Sequence, residues 1–366
     1  MIAHTVRACA ALTLHLTAYP AVYRNASLLP GSTLCSSGKR CPPVRYDVSS
    51  RCFATRAGQP LPETHPHLMR ADELTPGIAK EEYTERRARL FAQLPPNSAA
   101  IIPGYRIRYA SCNVFYPFRQ SSDLSWRCVG FNEPDAVAVL EKRPGHWQSS
   151  MVEVFRLFLR PSNAHAELWD GPRTGLEGAR GIFGADEAID SSLFRVEFTR
   201  LAQRSSTLYY DLPKDVNLFG EDVLRQQHHS LMGKLIGDIN GTASKSKRRP
   251  LAPIVHAMRQ VKSAAEITLM QRAGEITGQA FREVSRPATR PGMLERELDA
   301  HMDYACRRRG AERQAYVPVV AGGRNALTMH YVQNDMPLRS GDLVLMDAGS
   351  EYRGYASDVT RTWPVS

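Results

Sequence analysis

The stretch Leu343-Val344-Leu345-Met346-Asp347-Ala348-Gly349-Ser350-Glu351-Tyr352-Arg353-Gly354-Tyr355-Ala356-Ser357-Asp358-Val359-Thr360-Arg361-Thr362-Trp363-Pro364 decides how this 366-residue chain is read. Leu343 to Met346 is an apolar run suited to a buried strand, and Asp347 closes it. Gly354 and the polar residues around it read as a turn, with a second strand from Tyr355 onward. A hairpin centred between Tyr352 and Arg353 sets Asp347 directly opposite Asp358. Directly opposed side chains have Cβ atoms roughly 4.5–5.5 Å apart. Two ionised carboxylates that close repel, so one takes a proton or a cation sits between them. A pair of divalent metals about 3.5–4 Å apart would use them as chelator and bridge. A solvated surface hairpin is the bland alternative. The apolar strand ahead of Asp347, and Thr360-Arg361-Thr362-Trp363 behind Asp358, argue for a buried acidic site instead.

Other motifs surround this run. Tyr316-Val-Pro-Val-Val-Ala-Gly-Gly and Met329-His330-Tyr331 lie upstream. Further back stand Phe118-Arg119-Gln120-Ser-Ser-Asp123-Leu-Ser-Trp126 and Gly130-Phe131-Asn132-Glu133-Pro134-Asp135-Ala136. Glu167-Leu168-Trp169-Asp170-Gly171-Pro172-Arg173 and Arg259-Gln-Val-Lys262-Ser263-Ala-Ala-Glu266-Ile267 follow them. Together, from about residue 60 to the C-terminus, these segments resemble the aminopeptidase P family of pita-bread (creatinase-like) metalloenzymes. The pattern is similar to the mitochondrial members that cleave intermediates of presequence processing.

The resemblance implies an α/β N-terminal domain followed by the first half of an α+β pita-bread domain. The implied activity is release of the N-terminal residue from peptides with proline at the second position. Two divalent metal ions, foremost Mn2+, are the implied cofactors; oxygen-rich coordination with one imidazole suits manganese, with zinc or cobalt as alternatives. In the family the metal pair is held by two aspartates, one histidine and two glutamates, and only the aspartate positions, Asp347 and Asp358, are found here. His330 is the implied catalytic group that stabilises the intermediate. Tyr316 and His330 are the implied substrate-binding residues. With two of five ligands, the 366-residue chain is expected to be inactive and poorly stable by itself, with apolar surface left open. A non-catalytic pita-bread interaction protein is the competing reading; such members usually lose the aspartate pair, which is kept here. A prolidase-like dipeptidase shares the ligands, but the segment around Phe131-Asn132-Glu133-Pro134-Asp135 argues against it.

The net charge of +10 is unevenly spread. Residues 1–56 hold seven basic side chains and one acid, Asp47. Arg, Ser, Ala and Leu dominate there, which is a mitochondrial transit composition. Arg51-Cys52-Phe53-Ala54 resembles an organellar processing site, with cleavage after Phe53. A secretory signal competes through the apolar run Ala8 to Val22, but His15 interrupts it. Lys245, Lys247, Arg248 and Arg249 supply the whole of the remaining excess. The high pI therefore reflects two segments, and a whole-domain nucleic-acid face is not expected. No run approaches eighteen apolar residues, so no membrane span is expected. The expected partners are peptide or protein N-termini with penultimate proline, or presequence-processing intermediates; the oligomeric state, a homodimer included, stays open. Asn25 and Asn240 fit the glycosylation sequon, as they do in many non-secreted chains. Seven cysteines without a CxxC pair indicate neither a zinc knuckle nor a disulfide framework.

Along the chain, the expected organisation is a presequence at 1–56, the N-terminal domain at 64–210, a connector with a basic loop at 211–250, and the incomplete metallopeptidase domain at 251–366. His65-Pro66-His67 reads as a structural loop. Helices are expected over Lys80–Leu94, Pro253–Glu283 and Leu294–Arg308, and strands at Ala99–Ile102, Ala136–Leu140, Met151–Leu159 and Val317–Val320.

Overall fold

The computed structural model describes residues 57–122, 128–145, 150–211, 247–285 and 288–366. The expected presequence with its processing site, Asp123, Trp126, both sequons and most of the connector lie outside the described residues.

The N-terminal domain begins with a short ribbon, β1 (Glu73–Thr75) and β2 (Ile78–Ala79), leading into α1 (Lys80–Gln93). β3 (Ser98–Pro103) is followed by an exposed ribbon, β4 (Tyr109–Ser111) and β5 (Val114–Phe115), then by β6 (Val137–Pro144) and β7 (Met151–Leu159). α2 (Ala164–Asp170), α3 (Gly175–Gly181), β8 (Glu187–Asp190), α4 (Phe194–Arg204) and β9 (Thr207–Tyr209) complete the run. The expected strands at Ala99–Ile102, Ala136–Leu140 and Met151–Leu159 and the helix from Lys80 fall where the sequence puts them.

β3 and β6 to β9, with β10 (Lys247–Arg249), form one mixed sheet in the order β10-β9-β3-β6-β7-β8. The basic segment is thus not a loop at this point. It runs parallel to β9 as an edge strand, with Arg248 stacked over the Tyr210 ring. Three exposed cations on an edge discourage pairing with another chain.

The sheet is covered on both faces, which explains its nearly continuous apolar strands. Alternate residues divide between the faces. Ala100, Ile102, Ala138, Leu140, Phe155 and Leu157 share a core with α1 through Leu90 and Phe91. Ala99, Ile101, Val137, Val139 and Phe158 pack instead with Phe194, Phe198 and Leu201 of α4. On that second face a buried ion network joins Arg156, Glu141 and Arg204.

The second domain opens with α5 (Ala252–Gln260) and α6 (Ala264–Val284). One continuous helix from Pro253 is therefore corrected to two. Ser263 starts the second: its hydroxyl accepts from Glu266 N at 3.1 Å, and Glu266 Oε2 accepts from Ser263 N at 2.9 Å. This capping box fixes the break. Val261 is exposed in the break. Then come α7 (Glu295–Arg307), β11 (Arg313–Gln314), β12 (Val319–Gly322), β13 (Leu343–Ala348), β14 (Ser350–Tyr352), β15 (Tyr355–Ala356) and β16 (Val359–Pro364).

β13 pairs with β12 on one side and β16 on the other; β14 pairs with β11 and β15. Val344, Met346 and Ala348 point to α6 and α7, where they join Ile276, Ala280, Leu298, Met302 and Trp363 in a second core. The Trp363 indole donates to Thr289 Oγ1 at 2.8 Å. Leu343, Leu345 and Asp347 are left on the opposite, open face. Among the described residues no helix is long and apolar enough to cross a membrane.

Candidate metal centre

The hairpin turns one residue further along than the sequence suggested. Tyr352 pairs with Tyr355, so Arg353 and Gly354 form the turn, with φ of 52° and 79°. Two left-handed residues are what a two-residue hairpin turn of the right twist requires. Arg353 holds the first position although it is not a usual left-handed residue. Its N–H donates to Glu312 Oε2 at 2.7 Å.

The register changes the pairing of the acids. Asp347 opposes Thr360, not Asp358. The direct opposition expected from sequence is therefore corrected. A slip of two residues in the pairing preserves the face, whereas a slip of one would invert it. Asp358 lies diagonally from Asp347 on the same open face, where long side chains still meet.

Close approach of the strands here depends on Gly349. A Cβ at that position would lie 1.8 Å from the Ser357 carbonyl oxygen. Beneath the acids, Thr277 of α6, Ser350 and Ser357 form a hydroxyl cluster. Thr277 Oγ1 is 3.0 Å from Ser350 Oγ and 2.6 Å from Ser357 Oγ, and it accepts from Ser350 N at 3.0 Å. Ser350 Oγ donates to the Ala273 carbonyl at 3.1 Å. These bonds tie the base of the hairpin to α6.

Tyr316 completes the arrangement. Gln314 pairs with Ser350 and Val319 with Asp347, so four residues, Ala315 to Pro318, face only two, Ala348 and Gly349. This bulged segment aims the Tyr316 hydroxyl at the acids, 2.5 Å from Asp347 Oδ1 and 3.0 Å from Asp358 Oδ1. Burial, and then the bond to Asp347, push the Tyr316 hydroxyl far above the usual phenol range. Asp347 and Tyr316 are half-buried, and Asp358 is exposed.

One phenolic proton thus serves two carboxylates that are acceptors only. Unused oxygen lone pairs converging on an open face fit hard or borderline cations such as Mn2+. Among the described residues, no group of three or more His, Cys, Asp or Glu gathers to hold a metal. His330 stands on an exposed turn. It is not brought onto the Tyr316–Asp347–Asp358 cluster by any hydrogen bond found among the described residues.

Three supporting residues escaped the sequence reading: Thr277, Glu351 and Glu266. Only Glu266 carried a local signal, its capping-box distance from Ser263.

A bulged hairpin presenting paired carboxylates beside an α/β domain defines a class, and comparison with known proteins agrees. Residues 83–209 match the family profile described as aminopeptidase P, N-terminal domain, and residues 268–366 that of metallopeptidase family M24. The chain belongs to the aminopeptidase P family of M24 peptidases, with an N-terminal domain followed by pita-bread structure. It is 36% identical over 361 residues to Xaa-Pro aminopeptidase 3 of Homo sapiens, covering 95% of this chain and 67% of that one. It is 35% identical over 324 residues to the mitochondrial intermediate cleaving peptidase 55 of Arabidopsis thaliana, covering 87% and 60%. The solved structure of Escherichia coli aminopeptidase P with the inhibitor Pro-Leu matches at TM-score 0.65 and 35% identity, covering 79% of this chain and 63% of that one. The chain spans about 59–67% of the length of the curated relatives it matches.

Proposed function

We propose that this chain supplies the N-terminal domain and two metal ligands, Asp347 and Asp358, of a metal-dependent Xaa-Pro aminopeptidase acting in mitochondria. The observation that carries the reading is the convergence of both carboxylates on the Tyr316 hydroxyl. Two divalent cations, Mn2+ in the first place, would be held there and would supply Lewis acidity and an activated water.

The chain's own residues have narrower tasks. Asp347 and Asp358 are the anionic donors. Tyr316, on its bulge, holds the pair together and borders the space above them, where a peptide's first residues would lie. His330 is proposed to reach the same space as the group that stabilises charge developing on the substrate carbonyl. Proline in second place gives the scissile bond a nitrogen without hydrogen and a fixed φ, which explains a dedicated enzyme. Substrates are peptides with penultimate proline or presequence-processing intermediates. The acid-poor composition of residues 1–56 supports the mitochondrial placement.

The 366-residue polypeptide by itself is proposed to be inactive and poorly stable, since two carboxylates cannot hold two cations tightly. Val317, Leu327 and Met329 are 67%, 85% and 85% exposed, in line with the apolar surface expected from sequence.

The ligand assignment is tested by titrating the polypeptide with Mn2+ and following free metal by electron paramagnetic resonance. Asp347→Asn and Asp358→Asn should each weaken binding about tenfold or more; unchanged titrations would overturn the assignment. In parallel, an Xaa-Pro peptide incubated with the polypeptide and Mn2+ should yield no free first residue by mass spectrometry. Metal-dependent release would refute the inactivity.

A further inference from the structure

The N-terminal domain grips both strands of the hairpin that carries the two aspartates. On β14, Glu351 is buried and accepts from Arg119 Nε at 2.7 Å. Arg313 Nε lies 3.6 Å from its other oxygen, and the Arg313 guanidinium donates to the Phe118 carbonyl at 3.3 Å. On β15, Tyr355 is buried in the core shared with Leu74, Ile78 and Tyr83 of the N-terminal domain. Its hydroxyl donates to Glu266 Oε1 at 3.1 Å, and the same oxygen lies 3.3 Å from Arg86 of α1. Arg86 also pairs with Glu82 at 2.5 Å.

Among the described residues, no hydrogen bond or ion pair is seen between either arginine and Asp347 or Asp358. Each acts on the strand between an acid and the turn: Glu351 follows Asp347, and Tyr355 precedes Asp358. Near the turn, β15 is the edge of the β11-β14-β15 sheet and pairs with β14 at only two positions, Glu351–Ala356 and Tyr352–Tyr355, a short pairing that adds little stability by itself. Two like charges across such a pairing push its strands apart. Two buried carboxylates, Glu351 on β14 and Glu266 of α6 beneath β15, each paired with an arginine from the other domain, oppose that.

We propose that Arg119 and Arg86 are positioning residues: through Glu351 and through Glu266–Tyr355, the N-terminal domain sets the alignment of Asp347 with Asp358 for divalent cations. This deepens the reading of the aspartates as ligands and rests on it.

The test compares Arg119→Ala and Arg119→Lys in the 366-residue chain. Amide hydrogen exchange is read at Ser350 and Ser357, with β3 and β6 as internal reference, and Mn2+ affinity by electron paramagnetic resonance. The alanine variant should speed exchange at both serines about tenfold and weaken Mn2+ binding about tenfold, with the reference strands unchanged. The lysine variant should recover part of both. Unchanged exchange and affinity in the alanine variant would overturn the proposal. So would equal acceleration in β3 and β6, which marks general destabilisation. If Arg119→Ala does not fold, Glu351→Gln keeps the shape, removes the charge and carries the same comparison. Asp358→Asn separates the two claims. Lost Mn2+ binding with wild-type exchange supports the ligands independently. If Asp358→Asn binds Mn2+ like the wild type while Arg119→Ala speeds exchange, the cation part falls and the hairpin coupling stands.

Discussion

Tyr316 donates to Asp347 across 2.5 Å, and the same hydroxyl reaches Asp358 at 3.0 Å. A neutral donor between two anions offsets their repulsion without neutralising either. Tyr316→Phe removes that proton and leaves the packing. The variant should lose about 1.5 kcal/mol of stability, the low end for bonds to charged groups because the site is open on one side. Urea unfolding at neutral pH measures it. Added Mn2+ should narrow the difference, since a cation between the acids takes over the task.

At Gly349 any side chain collides with backbone. With 1.8 Å between an added Cβ and the Ser357 carbonyl oxygen, Gly349→Ala must spread the strands. The cost should reach about 3 kcal/mol, the upper range for overpacking. Mn2+ binding should fall in parallel, because Asp358 moves with Ser357. Thermal unfolding and metal titration on one sample check both. A stable variant with full Mn2+ affinity would show that close strand approach is dispensable.

Much of this architecture was legible. Strands such as Met151–Leu159 and the helix from Lys80 follow from periodicity, because alternation and the helical stripe are local properties. The hairpin was legible as an element, and its open face survived a two-residue error in the pairing of the acids. The error has a local cause: Arg353 takes a left-handed conformation that its side chain does not announce. Arg119 and Glu351 stand 232 positions apart, and no spacing rule joins them. The bulge that aims Tyr316 arises from pairing on two strands at once, which no single segment encodes.

The capping box at Ser263 gives a local prediction. Ser263→Ala removes one acceptor at the start of α6 and should cost about 1 kcal/mol. Glu266→Ala should cost more, because the same carboxylate also serves Arg86 and Tyr355. Guanidinium unfolding of both variants gives the comparison. Equal losses would mean that Glu266 acts only as a cap.

The ion network in the N-terminal sheet predicts acid sensitivity. Burial pushes the Glu141 carboxyl up, but hydrogen bonds from Arg204 and Arg156 outweigh it and hold it below the usual range. The bond from Arg156 likewise lowers Glu187. A carboxylate with a depressed folded pKa contributes stability that is fully present above its unfolded value, about 4.3, and lost as pH falls through the folded value. Unfolding free energy should therefore be level near neutrality and fall steadily below about pH 4. Glu141→Gln leaves Arg156 buried with only Glu187 beside it. Loss of one partner from a buried pair should cost about 3 kcal/mol at pH 7. The same substitution should flatten the acid limb, since one of the titrating groups is gone. Urea midpoints from pH 3 to pH 7 for both proteins separate these effects: a variant that is destabilised equally at every pH would mean that Glu141 stays ionised throughout and that other carboxylates govern the acid transition.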